Sequence, residues 1–353
     1  MRAQHSVSPG GWLVLFVACL AVAGGAFTTV LAEPGADLPL VEAVKSRDTD
    51  AVRTLLAEGV DVNAPQPDGA TALHWAAYRD DVDTAALLIE AGANVNTANE
   101  LGATPLWLAA DNGSPTMIER LLDAGANPNV ALPEGETPVM TASRTGNADA
   151  VRLLLAHGAA INVSEHSRGQ TALMWAAAEN HPAAVHTLIE LGATVTERSS
   201  AGWTALLFAV RAGKAEAVHA LLEAGSDVND TIQPLASDVE EAAGPSRRRG
   251  GPDGTSALVI AVTNAHFSLA TYLVERGADP NADEQGWTAL HQLAYTRRPN
   301  SGKGMPPVPL LDSLDTLAFA QFLLENGADP NARQAKRFNN RERNFLNRVG
   351  ATP

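Results

Sequence analysis

A short phrase recurs along this chain at a nearly fixed interval, and that recurrence limits the possible folds more than any other feature. Thr71-Ala72-Leu73-His74, Thr104-Pro105-Leu106, Thr137-Pro138, Thr171-Ala172-Leu173-Met174 and Thr204-Ala205-Leu206-Leu207 have threonines 33, 33, 34 and 33 residues apart. After a longer gap, Ser256-Ala257-Leu258 and Thr288-Ala289-Leu290-His291 follow, 32 residues apart. A period of this length marks stacked supersecondary units, each too small to bury its apolar face alone. The 353 residues are therefore expected to form a solenoid that grows by stacking, without one central core.

The chemistry within a unit explains its spacing. Thr104 is placed to cap a first helix by accepting from an orphan backbone N–H, and Pro105 suits the first helical turn, where no donor is needed. Leu106, Ala109 and Ala110 make a thin apolar face whose paired alanines let neighbouring helices approach closely. Met117, Ile118, Leu121 and Leu122 fall at core spacing on a second helix. Gly125 then stops it, and Asn127-Pro128-Asn129 turns the chain toward the next unit. The same stop recurs at Gly59, Gly92, Gly158, Gly192, Gly225, Gly277 and Gly327. Eight stops predict eight helix pairs, over 33–65, 66–98, 99–131, 132–165, 166–198, 199–230, 251–282 and 283–333. The first pair lacks the threonine phrase, as a terminal capping unit would.

Residues 1–32 have the pattern of an export signal. Arg2 precedes an apolar run from Trp12 to Ala32, and Val30-Leu31-Ala32 offers small residues for cleavage before Glu33. The alternative is an uncleaved anchor, since the run is long enough to span a bilayer. Either reading sends the repeats out of the cytoplasm, to the periplasm or the medium. Cys19, the single cysteine, lies within this segment, so the mature chain would hold no disulfide and no thiolate. The net charge is −15, and removing Arg2 takes it to −16. That sign disfavours nonspecific attraction to nucleic acid or anionic lipid.

Three stretches interrupt the period. Residues 231–250 carry Asp238, Glu240 and Glu241, then Arg247-Arg248-Arg249, with no apolar periodicity. Between about 297 and 315, Pro299, Pro306, Pro307 and Pro309 argue against regular structure. The third, 334–346, lies in a basic run, and Gly350-Ala351-Thr352-Pro353 then repeats the opening phrase. Residues 334–353 are expected to be a poorly ordered basic loop and the start of a further, truncated repeat.

The units resemble the ankyrin-repeat family over about 300 of the 353 residues. The likeness rests on Thr71-Ala72-Leu73-His74-Trp75-Ala76-Ala77, Gly92-Ala93-Asn94-Val95-Asn96 and Gly277-Ala278-Asp279-Pro280-Asn281. The chain also resembles exported bacterial members of the family with inserts in their C-terminal half. The resemblance implies an all-α solenoid of helix–turn–helix units joined by β-hairpin-like loops. It also implies a monomeric, non-enzymatic module that binds a protein through a concave face of hairpins and first helices. On that mapping, Trp203 and Trp287 on hairpins, with Tyr78, Arg79, Asp111, Asn112, Arg144, Arg211 and Tyr295 on first helices, point to the partner. Exposed aromatics and arginines are common binding hot spots. The other expectation for Trp203 and Trp287 is that they lie against a neighbouring hairpin and stabilise stacking. Trp75 and Trp175 are expected in the core.

A second functional class remains open: a small-molecule or glycan receptor stacking rings on Trp203, Trp287, Tyr78 and Tyr295. An enzyme is disfavoured. No Gly-x-Ser-x-Gly elbow or phosphate-binding Gly-rich loop occurs, and the acids follow the repeat period as turn and surface residues. His181 and His186 are five apart, off one helical face, and His74 and His291 occupy the family's loop-bonding position. No metal, cofactor or nucleic-acid partner is expected. Membrane association is expected only if the N-terminal segment stays uncleaved. The clusters at Arg247–Arg249 and 333–348 are expected to be solvated loop charges.

Overall fold

In most units the phrase at the head closes the first turn of a helix, although Thr137 makes no side-chain cap bond. Thr104 Oγ1 accepts from the Trp107 N–H at 3.2 Å, and Thr171, Thr204 and Ser256 make the same cap onto Met174, Leu207 and Val259. In the second unit a histidine reverses the arrangement: the Thr71 N–H donates to His74 Nδ1 at 3.0 Å. Pro105 and Pro138 occupy first helical positions, where their missing N–H costs nothing.

The structure, a computed structural model, describes residues 38–233, 254–296, 314–335 and 352–353. Within them are sixteen helices in eight pairs, with no strand among the described residues. The pairs are α1 (Pro39–Ser46) and α2 (Thr49–Ala57), α3 (Ala72–Tyr78) and α4 (Val82–Glu90), α5 (Pro105–Asp111) and α6 (Pro115–Asp123), and α7 (Pro138–Thr145) and α8 (Ala148–Ala156). Then come α9 (Ala172–Glu179) and α10 (Pro182–Glu190), α11 (Ala205–Arg211) and α12 (Ala215–Glu223), α13 (Ala257–Thr263) and α14 (Phe267–Glu275), and α15 (Ala289–Thr296) and α16 (Thr316–Glu325). Each first helix packs on the next first helix and each second on the next second, except that the fully described second-helix stack passes from α12 to α14 through weaker contact. The connecting hairpins hold only isolated bridges, Ser164 to Thr171 and Thr231 to Ser256.

Alternating small and large residues let helices of seven to ten residues build a continuous core. Ala76, Ala77, Ala109, Ala110, Ala176 and Ala177 are fully buried where first helices meet, while Leu88, Met117, Ile118, Leu121 and Leu154 fill the layer beneath. The glycine stops all have positive φ, from 79° to 100°. At Gly125 two bonds close the helix end: Gly125 N–H to Leu122 O and Ala126 N–H to Leu121 O, both 2.9 Å. This paired pattern is a Schellman motif, which needs a left-handed residue at that point.

An asparagine ladder ties successive units together. Asn96 Nδ2 donates to Gly125 O at 3.0 Å, and its Oδ1 accepts from the Asn127 N–H at 2.7 Å. Asn63, Asn129, Asn162, Asn229 and Asn281 repeat both bonds. The equivalent residue between units five and six is Thr196, and no such rung forms there. Close by, Arg198 joins two consecutive hairpins, donating to the carbonyls of Gly202 and Thr231 at 2.9 Å and to Asp230.

Residues 1–37, 234–253, 297–313 and 336–351 lie outside the described residues, and with them the expected export segment and nearly all of the three inserts. Among the described residues no helix is long and apolar enough to cross a membrane.

Candidate functional site

Stacking places equivalent residues of each unit in rows. Tyr78, Asp111, Arg144, Arg211 and Tyr295 each stand seven residues after their unit's threonine, and so share one row at the ends of the first helices. Arg79 and Asn112 follow one residue later. Trp203 and Trp287 stand one residue before the threonine, on the hairpins.

Contacts within this array divide the nine residues. Tyr78 is 50% exposed and meets the half-buried Trp75 edge-on, with ring centres 5.9 Å apart. Arg144 Nη2 reaches Asp111 Oδ1 at 2.7 Å across two units. Asn112 is exposed, yet its Nδ2 donates to Ala77 O at 2.9 Å and to Tyr78 O at 3.0 Å, satisfying carbonyls at the end of α3. Arg79 is half-buried, and its carbonyl accepts from Arg47 Nη2 at 2.8 Å. Tyr295 is half-buried near the end of α15.

The hairpin tryptophans do not project into solvent. Trp203 and Trp287 are each only 5% exposed. Trp203 packs beside Phe208, centre to centre 5.5 Å, and Trp287 donates its indole N–H to Gln292 Oε1 at 3.1 Å. This corrects the expectation of two open aromatic anchors; the alternative placed them against a neighbouring hairpin, whereas the contacts seen are with the first helix of their own unit. It also removes two of the four rings that a glycan receptor would use. Trp75 and Trp175, expected in the core, do pack against it but are not fully enclosed. Both are half-buried, and each donates its indole N–H to a hairpin glutamine: Trp75 to Gln66 at 2.6 Å, Trp175 to Gln170 at 3.0 Å.

One geometric rule accounts for both placements. The residue before the threonine and the residue four after it meet between hairpin and helix: Glu136 with Thr141, Gln170 with Trp175, Trp203 with Phe208, Trp287 with Gln292. A tryptophan on the hairpin is covered by its partner from the helix. One on the helix lies over a polar or small hairpin residue and keeps part of its ring accessible. Glu136, Thr141, Gln170, Phe208 and Gln292 thus make the hairpin–helix contacts that underlie the same face, Thr141, Phe208 and Gln292 being buried, and sequence reasoning missed them. Their signal was the fixed separation of five residues across each threonine.

The electrostatics of the face are mixed. Burial pushes the Glu136 carboxyl above its usual value, opposed by the Thr141 hydroxyl bond and the Arg144 charge. Lys45 Nζ lies 4.7 Å from the Trp75 ring centre. Arg211 lies 5.1 Å from the Trp203 ring centre and 5.6 Å from that of Phe208. Burial, and then the charge of Arg168, hold Arg211 below the usual guanidinium value.

The histidines are structural in their bonding. His74 Nε2 donates to Ala103 O in the next hairpin at 3.1 Å, while Nδ1 accepts from Thr71. His181 Nε2 and His266 Nε2 bond the carbonyls of Arg144 and Arg211. Among the described residues no group of three or more His, Cys, Asp or Glu is placed to hold a metal ion. An open hollow of about 670 Å³ lies between α1 and α2, lined by Pro39, Glu42, Ser46, Leu55 and Glu58, away from the aromatics of the face.

These rows of paired helices define a repeat-built solenoid, and the comparisons agree. The ankyrin-repeats model (three copies) matches residues 40–131 and 125–199, and the single ankyrin-repeat model matches 201–232 and 253–284. The chain belongs to the ankyrin-repeat family. The crystal structure of the human ASB11 ankyrin repeat domain is similar at 28% identity and a TM-score of 0.57, covering 69% of this chain and 100% of that one. No curated protein sequence matches.

Proposed function

We propose that this chain binds a protein partner on the face made by its hairpins and first helices, without catalysing a reaction. Tyr78 carries the reading: a large aromatic, 50% exposed, braced edge-on by a half-buried tryptophan, in the row that also holds Arg144 and Arg211. A rigid aromatic anchor in the same row as arginines loses little side-chain entropy on binding, and the row offers both apolar and hydrogen-bonding contact. The buried second-helix layer and the ladder of asparagines supply the rigid support such a face requires.

The test is mutational and compares two faces. With a partner in hand, Tyr78→Ala should weaken binding by about 2 kcal/mol in calorimetry, as hot-spot truncations do. Leu191→Ser, at an exposed leucine just after second helix α10, should leave binding unchanged. The reverse result would place the interface elsewhere. Export belongs to the same proposal, supported by Arg2, the Trp12–Ala32 run and the small residues before Glu33. Protease added to spheroplasts of the native host should reach the repeats, and full protection would contradict it.

A further inference from the structure

Arg144 and Arg211 occupy the same position in units four and six, yet only one of them is neutralised. Asp111, in the preceding unit of the row, pairs with Arg144 at 2.7 Å. The row neighbours of Arg211 are Ala178 and Thr263, neither of which can carry charge. Its guanidinium lies over the rings of Trp203 and Phe208 instead, at 5.1 and 5.6 Å. Rings attract the cation but leave most of its five N–H donors without an acceptor.

A second arginine stands nearby. Arg168 sits at the tip of the preceding hairpin, which is clasped to the Trp203 hairpin by the bond from the Ser200 N–H to Arg168 O at 2.7 Å. The acid closest to it in sequence, Glu165, is already engaged. Its carboxylate accepts from the Ser167 hydroxyl and from the amides of Ser167, Arg168 and Gln170. Among the described residues neither the Arg168 nor the Arg211 side chain has an ion-pair or hydrogen-bond partner. Their mutual repulsion adds to burial in holding Arg211 below its usual value. An anion placed near them would relieve that repulsion.

We propose that Arg168 and Arg211, the latter lying over the buried Trp203 and Phe208 rings, accept a glutamate or aspartate side chain of the protein partner. This rests on the reading of the face as a protein-binding surface. Charge supports the acidic occupant: on a chain of net −15, two uncompensated arginines are where a carboxylate gains attraction. The planar fork of arginine matches a carboxylate in two parallel bonds.

The experiment uses the full chain and three acetylated, amidated peptides of alternating leucine with glutamate, glutamine or phosphoserine. Titrations would follow the Arg168 and Arg211 Nε–H resonances by NMR. The glutamate peptide should shift both signals, bind about ten-fold tighter than the glutamine peptide, and weaken as salt rises. Arg211→Met keeps an unbranched apolar side chain to cover Trp203 and should abolish that ten-fold preference with the melting curve unchanged. Equal binding of glutamate and glutamine peptides, or an unaltered preference in Arg211→Met, would overturn the proposal. Much tighter binding of the phosphoserine peptide would overturn the carboxylate assignment. Arg211→Met binding a native partner normally, while Tyr78→Ala fails, would sink the arginine acceptor and leave the broader face intact.

Discussion

Arg144 Nη2 and Asp111 Oδ1 lie 2.7 Å apart although their residues are separated by a full unit of the chain. The pair bridges α5 and α7 at the rim of the proposed binding face. Both side chains are about two-fifths exposed, at 41% and 43%, so water screens the attraction. A double-mutant cycle with Arg144→Ala and Asp111→Ala should therefore give a coupling below about 1 kcal/mol. A larger value would mean that the pair is a structural clamp and not a surface contact.

Trp203 is expected to act on the fold. Truncating a buried aromatic removes transfer energy and leaves a cavity, so Trp203→Ala should cost about 3 kcal/mol or more in chemical denaturation. Part of the Arg211 position would be lost with it. A variant that keeps full stability but loses partner binding would contradict the burial described above.

Gly125→Val tests the helix stops without any steric complication. A Cβ built at Gly125 meets nothing within 4 Å, so contact at Cβ adds nothing to the penalty of its φ of +88°. A β-branched residue there should destabilise by at least about 1 kcal/mol. Unchanged thermal stability would mean that the left-handed turn is dispensable.

The missing rung of the ladder offers a gain. Thr196→Asn places an amide where its counterparts bond a glycine carbonyl and a backbone N–H of the next unit, here Gly225 and Asp227. Stability should rise by about 0.5–1 kcal/mol. A loss would show that Arg198 and its hairpin partners occupy the space the ladder needs.

His74 makes the fold sensitive to acid. Burial lowers its pKa below 6.5, outweighing the Ala103 carbonyl, which stabilises the charged ring. The unfolded chain thus takes up the proton first as pH falls. The stability owed to this group is complete above about 6.5 and is lost as pH drops from there through the lower folded value. Urea midpoints at pH 7.5 and 5.5 should differ more for the native chain than for His74→Gln. Equal differences would remove His74 from the account.

The fold was legible because its determinants are local and repeated. Each threonine cap, paired alanine and glycine stop recurs at the same place in a unit, so the helices could be placed from periodicity. The bonds between units were harder to see. Asn96 looks like a turn residue until its partners, Gly125 and Asn127, are brought beside it by stacking. The tryptophans show the same limit. Whether Trp203 or Trp175 is covered depends on the residue five positions away across the threonine, a spacing with no helical or strand period. Arg211 was legible as a first-helix residue on the face, but its lack of an acid partner emerged only when Ala178 and Thr263 became its neighbours.

Amide hydrogen exchange on the full chain, with and without a bound partner, tests the central claim most directly. Binding at the proposed face should add protection in the hairpin and first-helix segments, 66–80, 99–112, 165–179 and 199–212, and leave the second helices at 82–90, 115–123 and 182–190 as they were. Protection confined to those second helices, or to the inserts at 231–250 and 297–315, would contradict it.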